Sequence, residues 1–442
     1  EGGRAAERRM IMAEIEKNTS ASETNHGAYE FAFEPVPEEK KKGGISLFMV
    51  LAGYPIALSN FVTGAAIGFR MTFANAMIAI LAADAFLIFV AVMTGIISFE
   101  TGFSTAFLSR TAFGKKGSSI FSLLLALSAI NWIGINGNTF ATMLLTNFPG
   151  WPLAASITGV IVIAIWSQSA IRGYKGLEVI SFIGVPAAIV LAAACFIGVG
   201  LRTGGYGVVL DFVPADPMTF TAASASVVGS WVFGCMITPD VCRYAKSRAT
   251  VIRSGTAAFF LGLFCLQFVG VLVAQASGNG DFSAATAALG LGYLVFACTI
   301  FCLWTTQDNN IYGASLAMQN IFKETRLKGK ITHAQVAIGV SALAAIFAFV
   351  GALKYLLPII SFLSVLLSPV PALIVAERYF VKNSKMEIDV NPIAIISWIL
   401  GGVCGKVCLD LNFFVSPVIS FIFTVIVYTI LSKLFDHKLA KN

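Results

Sequence analysis

Residues 289–319 read LGLGYLVFACTIFCLWTTQDNNIYGASLAMQ. The stretch is apolar at both ends and longer than the roughly 20 residues a bilayer-spanning helix needs. Inside it, Thr305, Thr306, Gln307, Asp308, Asn309, Asn310 and Tyr312 follow one another almost without a break. A charge facing lipid at the bilayer centre costs several kcal/mol, so these groups must face a cavity, an ion or each other. At helical spacing Thr305 and Asn309 share one face, with Tyr312 three residues on. Thr306 and Asn310 share the neighbouring face.

Working outward, eleven further apolar runs have spanning length: 45–69, 72–98, 119–147, 152–170, 177–201, 221–240, 254–275, 333–354, 356–377, 391–409 and 412–432. The hydrophobic share is 57% and the charged share 12%, half the roughly 25% of a soluble domain. An all-α polytopic membrane protein of twelve transmembrane helices is expected. Charge supports the count. With both termini cytoplasmic, all but four of the 30 Lys and Arg (Arg70, Arg202, Lys354 and Lys406) fall on the inner side, the usual orientation signal. A multi-pass protein of the inner or plasma membrane follows. The net charge of +7 then reflects topology and calls for no nucleic-acid partner. Residues 1–44 are expected to be a disordered polar arm without a signal-peptide pattern, and 433–442 a cytoplasmic tail.

Enzyme chemistry finds no foothold. The eight cysteines form no CxxC pair, and His26, His333 and His437 lie in the arm, at a helix edge and in the tail. That leaves no transition-metal set, no intramembrane histidine relay, no HExxH-type pattern and no cofactor site. A channel would use rings of equivalent groups, whereas here unlike polar groups gather within one bundle. No obligate protein partner is implied beyond the lipid bilayer.

Transporters place substrate near the midplane, between helices interrupted at corresponding places. The first span, LAGYPIALSNFVTGAAIG (51–68), carries Gly53 and Pro55, and a break near Gly53–Ala57 is expected because proline removes a backbone donor. The sixth, SASVVGSWVFGCMITPD (224–240), has Gly229 and Gly234 bracketing Ser230, Trp231 and Phe233, and a matching interruption is expected there. The third, SAINWIGINGN (128–138), offers Asn131, Trp132, Asn136 and Asn138. A flat heterocycle needs aromatic walls and a few oriented polar groups. Trp132 and Trp231 are the walls, with Phe233 a third, and the carboxamides of Asn309 and Asn310 can pair with a ring edge. A driving Na⁺ suits carbonyls freed near Gly53 and Ile56 facing the hydroxyls of Thr305 and Thr306. Two intramembrane acids, Asp84 and Asp308, are candidates for binding H⁺ in its place. Asp240 and Arg243, three residues apart, read as an intrahelical pair.

Four stretches resemble the nucleobase–cation symporter (purine/cytosine permease) family, in its cytosine permease-like branch: WTTQDNNIYGASL (304–316), VVGSWVFGCMITPDVCRYAKS (227–247), GYPIALSNFVTGAAIG (53–68) and FETGFSTAFLSRTAFGKKGS (99–118). The resemblance runs from about residue 45 to 435. It implies a leucine-transporter-like fold, with a core at 45–377 made of two inverted five-helix repeats (about 45–201 and 221–377). Two additional helices follow at 378–432. It also implies alternating access and symport of a nucleobase with Na⁺. The family's stacking tryptophan in the third helix falls on Trp132, its aromatic in the sixth on Trp231, its asparagine on Asn309 or Asn310, and its sodium site on Gly53, Ile56, Thr305 and Thr306. Asn131 and Gly53 border the substrate position. Where cytosine permeases carry a second aromatic, a glutamine and a small hydroxyl, this chain has Ala57, Ala129 and Phe233. The resemblance therefore implies a nucleobase such as cytosine or a related purine or pyrimidine ring. The alternative is another small heterocycle, such as a vitamin precursor or hydantoin-like ring.

Overall fold

The structure, a computed structural model, describes residues 29–32, 34–351 and 365–439, with side chains through residue 435. Most of the polar arm and the first half of the tenth apolar run lie outside the described residues. The first apolar run folds as two helices, α1 (Gly44–Gly53) and α2 (Leu58–Arg70), bent by 55° at their junction. There follow α3 (Phe73–Thr101), α4 (Gly117–Asn147), α5 (Ala155–Ala170), α6 (Tyr174–Arg202), α7 (Phe220–Cys242) and α8 (Arg248–Ser277). The series continues with α9 (Gly292–Phe322), α10 (His333–Phe349), α11 (Pro369–Ala376), α12 (Pro392–Asp410) and α13 (Ser416–Leu439). Each expected span thus has a helical counterpart, the tenth being described only from α11 onward. The fold is all-α, with a single isolated bridge between Lys42 and Ala245 among the described residues.

The break in the first span has a local cause and local compensation. Pro55 brings no N–H, and the Ile56 N–H still reaches back to the Ala52 carbonyl at 3.0 Å. Asn60 Nδ2 donates to the carbonyls of Pro55 (2.6 Å) and Gly262 (2.8 Å). Gly262 lies in a π-helical turn, Phe260–Cys265, within α8. Two interrupted ladders therefore share one amide side chain.

The sixth span is not interrupted. α7 runs as one helix from Phe220 to Cys242 through Gly229 and Gly234, correcting the expectation of a matching break. Glycine weakens a helix by about 1 kcal/mol but keeps its N–H, so the ladder survives where Pro55 ends it. Gly234 supplies room instead, since a Cβ there would lie 2.5 Å from the Trp231 ring and 3.0 Å from that of Tyr54.

The helices pack in two groups. One holds α1 and α2 with α3, α7 and α8; the other holds α4, α5, α9 and α10. α6 bridges them by contacting both α1 and α9, while α12 and α13 pair with each other and with α11. Burial ranks the elements accordingly, with 83% of the apolar window of α7 enclosed against 28% of that of α13. α2 and α8 approach backbone to backbone. A Cβ on Gly64 would fall 2.0 Å from the Gln267 carbonyl oxygen, and one on Gly270 would fall 2.2 Å from that of Phe61. Small residues at such seams allow this approach. Gly64→Ala is expected to cost about 1–3 kcal/mol by overpacking, read as a lower melting temperature of the detergent-purified protein. Gly339→Ala, with nothing among the described residues within 4 Å of its Cβ position, is the control and should match the parent.

Candidate functional site

The carbonyls released at the end of α1 point at α9. Thr305 Oγ1 donates to the Gly53 carbonyl at 2.5 Å and Thr306 Oγ1 to the Tyr54 carbonyl at 3.2 Å. Both hydroxyls also lie against the Cys302 carbonyl, at 3.2 and 3.0 Å. From α6, Ser181 Oγ would meet a Cβ on Gly53 at 2.4 Å, and that hydroxyl is buried with no hydrogen-bond partner among the described residues. Three helices thus bring together oxygen atoms alone, the donor type a hard cation takes. Gly53, Thr305 and Thr306 are brought together here. Neither hydroxyl reaches Ile56; the second carbonyl is that of Tyr54. The unpaired carbonyls at a helix end belong to its final residues, and α1 ends at Gly53 and Tyr54, before Ile56.

Beside the oxygens stands an aromatic wall. Tyr54 Oη donates to Asn310 Oδ1 at 2.9 Å, and its ring meets that of Trp231 edge-on, centroids 5.3 Å apart at 75°. Trp231 Nε1 is buried and has no partner among the described residues. Asn309 Nδ2 donates to the Thr305 carbonyl at 3.0 Å, along its own helix. Trp132 joins the apolar cluster that holds Tyr54, Ala57, Ala129, Trp231 and Phe233. Phe233 is about 200° round α7 from Trp231, so the two cannot form one wall. Asn131 lies on the face of α4 that carries Gly134 and Asn138. That face packs on α10, with Asn138 Nδ2 donating to the Ala348 carbonyl at 2.8 Å. Asn131 is therefore turned away from the Trp132 side. Asn136, which is on that side, has an Nδ2 without a partner among the described residues. Trp132, Trp231, Thr305, Thr306, Asn309 and Asn310 are each at most 7% exposed, so a solute reaches them only if helices move.

The acids separate. Asp308 accepts from Ser169 Oγ at 2.8 Å, and Ser169 Oγ in turn accepts from Trp304 Nε1 at 2.7 Å. Asp84 lies on α3, near Gln267 of α8. Asp240 and Arg243 do not form the expected side-chain pair. Asp240 accepts the Thr105 backbone N–H at 2.7 Å, whereas Arg243 donates to the Asp240 backbone carbonyl, to Tyr312 Oη and to the carbonyls of Glu30 and Phe31. Tertiary partners outcompete the i,i+3 neighbour because they satisfy more of the guanidinium's five donors. Residues that reading by sequence passed over are Tyr54, Ser181 and Gln267.

A sequence profile of a family described as permease for cytosine/purines, uracil, thiamine, allantoin matches residues 35–431. Cytosine permease of Escherichia coli (strain K12) is 28% identical over 389 residues, covering 85% of this chain and 88% of that protein. Purine-uracil permease NCS1 of Arabidopsis thaliana is 22% identical over 428 residues, covering 86% and 70%. In three dimensions, Mhp1, a nucleobase-cation-symport-1 family transporter in a closed conformation with bromovinylhydantoin bound, superposes with a TM-score of 0.75 at 16% identity, over 90% of this chain and 95% of that one. A Na⁺-coupled sialic acid symporter superposes with a TM-score of 0.64 at 14% identity, over 89% and 90%. The architecture is the leucine-transporter-like one of these structures, and the chain belongs to the family of membrane permeases for cytosine/purines, uracil, thiamine and allantoin.

Proposed function

We propose that the protein is a secondary active transporter that imports a nucleobase, cytosine or a related purine or pyrimidine ring, together with Na⁺ by alternating access. The observation that carries this reading is the unpartnered indole N–H of Trp231 beside the Tyr54–Asn310 hydrogen bond. A buried donor left unpaired costs about 1–3 kcal/mol, and a ring carbonyl or ring nitrogen would satisfy it. Asn310 Nδ2 and Asn309 Oδ1 then offer a donor and an acceptor to the ring edge, with the rings of Trp231 and Trp132 as walls. Na⁺ takes the carbonyls of Gly53, Tyr54 and Cys302 and the hydroxyls of Thr305 and Thr306, with Ser181 as a further oxygen. Arm and tail are cytoplasmic, and the two inverted repeats are 45–201 and 221–377.

Labelled cytosine, uracil, adenine, hypoxanthine and a hydantoin are offered to proteoliposomes holding the purified protein, with an inward Na⁺ gradient, an inward H⁺ gradient or neither. Saturable uptake of a base with Na⁺ is expected. Trp231→Ala and Asn310→Ala should each lower kcat/KM by about a hundredfold or more, since a site built around polar partners loses strongly when one goes. Normal transport by both variants would sink the placement. Uptake of the hydantoin alone would move the substrate class while leaving the site, and uptake driven only by H⁺ would overturn the choice of ion.

A further inference from the structure

Away from that site, α3, α8 and the break in the first span enclose a second polar cluster. Asp84 and Gln267 are both 0% exposed. Gln267 Nε2 donates to Asn60 Oδ1 at 3.2 Å and reaches Asp84 Oδ1 at 3.5 Å, the outer limit of a hydrogen bond. Asn60, also 0% exposed, commits its Nδ2 to the carbonyls of Pro55 and Gly262. A chain of amides therefore runs from the acid to both interrupted ladders, at the α1–α2 break and in the π turn of α8.

The cluster does not balance. Each carboxamide carries two N–H donors, and all four are used. Asp84 Oδ2 and Gln267 Oε1, both buried, have no partner among the described residues, and both are acceptors. The deficit is one hydrogen, which an O–H on Asp84 directed at Gln267 Oε1 would supply. A bare carboxylate here would keep one donor at 3.5 Å, and burying an ion with so little compensation costs several kcal/mol. Among the described residues, the titratable groups near enough to feel its charge are thiols, Cys235 of α7 and Cys265 of the π turn, and neither brings a positive charge. With Asp84, Gln267 and Asn60 all 0% exposed, water reaches the carboxylate when the helices around the cluster move apart.

We propose that Asp84 is a proton-binding site that latches the break of the first span: the closed arrangement holds the proton between Asp84 and Gln267, and opening releases it to water. No redox step or further reactant enters, because the proton leaves a carboxyl oxygen and returns to it. The proposal goes beyond the transport reading and does not depend on which solute or ion is carried.

The test uses the intact protein in lipid and two readouts. The infrared carbonyl band of protonated carboxyl groups is followed from mildly acidic to mildly alkaline pH. Wild type is expected to show a component that is lost on raising pH, absent in Asp84→Asn and retained in Asp308→Asn. In proteoliposomes with a fixed Na⁺ gradient and no pH gradient, uptake should fall about tenfold per pH unit on the alkaline side and vary by less than about twofold in Asp84→Asn. The amide of that variant replaces the O–H toward Gln267 Oε1. If Asp84→Asn fails to fold, Gln267→Met should shift the same band to higher frequency by removing its acceptor. A band that ignores pH marks a fixed structural acid and overturns the proposal. So does a band unchanged in Asp84→Asn, or one displaced by Na⁺ at constant pH. If no solute is transported at all, the infrared arm still decides, so failure of the transport reading and failure of the latch are told apart.

Discussion

Thr305→Val protein will need about ten- to a hundredfold more Na⁺ for half-maximal uptake, while Thr305→Ser will stay close to wild type. The range follows from the size of the interaction: a hydrogen bond or ligand to a charged group is worth about 1.5–3 kcal/mol, and each 1.4 kcal/mol is tenfold in binding. Valine is the sharper substitution because the methyl of Thr305 has its own seat. A Cβ on Gly184 of α6 would fall 2.3 Å from Thr305 Cγ2, so alanine would also open a gap between α6 and α9. Valine keeps that contact and turns a second methyl toward the Gly53 carbonyl, which now receives the hydroxyl at 2.5 Å. Serine keeps the hydroxyl and gives up the methyl. Na⁺-dependent uptake and the melting-temperature rise on adding Na⁺ to purified protein report the same equilibrium, the second without any solute. Should valine and serine variants show the same Na⁺ dependence, the ion is not held by this hydroxyl.

Reading the sequence reached this pair of helices because hydropathy and polarity are properties of single positions. Polar residues in a spanning run cannot hide in lipid, so Thr305 to Asn310 announced themselves, and Pro55 announced the break by lacking a donor. The errors arose where the outcome depends on a partner far along the chain. Gly229 and Gly234 suggested a second break, yet Gly234 is small because the rings of Trp231 and Tyr54 crowd it. Asp240 and Arg243 had the right spacing to pair, but Thr105 and the arm offered each a better bond. Tyr54 stood inside the quoted GYP stretch. Its hydroxyl reaches Asn310 only because α1 ends at that point and swings its last turn toward α9. Ser181 carried no pattern at all. Gln267, an amide within the apolar stretch LFCLQFVGVLVA (263–274), did carry one, since an uncharged polar group buried in a membrane helix needs a partner.

Arg243→Lys will release the arm from the end of α7. The guanidinium is wholly buried and donates to the carbonyls of Phe31 (2.7 Å) and Glu30 (2.8 Å), to Tyr312 Oη (2.8 Å) and to the Asp240 carbonyl (3.1 Å). Glu30 Oε2 in turn accepts from Tyr244 Oη at 3.1 Å and Tyr312 Oη at 3.4 Å, and Tyr29 Oη donates to the Gly329 carbonyl beyond α9 at 2.6 Å. Glu30 and Phe31 both take positive φ, 51° and 52°, a left-handed conformation that costs L-residues roughly 1–2 kcal/mol each. The turn is therefore strained, and it persists because one planar fork engages both of its carbonyls at once. A lysine ammonium has its three donors on a single atom and cannot span the two carbonyls and the tyrosine together. Two lost charge-assisted bonds, at about 1.5–3 kcal/mol each, exceed what the strained turn can spare. Docked arm should fall by about a hundredfold or more, read as faster amide hydrogen exchange at Tyr29–Ala32 and as new protease sensitivity before Lys40. Glu30→Gln removes the carboxylate but leaves both carbonyl contacts, so it should loosen the arm far less. Equal release by the two variants would mean that the carboxylate, not the fork, holds the arm. Unchanged exchange in Arg243→Lys would mean that the turn is held by packing alone. If the arm does come free, Tyr244 beyond the end of α7 and Tyr312 of α9 lose the Glu30 carboxylate to which both donate. Under the alternating access proposed above, a path beneath Tyr54, Trp231 and Asn310 opens where α7 and α9 part, and the same variant should then exchange solute across the membrane faster than it accumulates it.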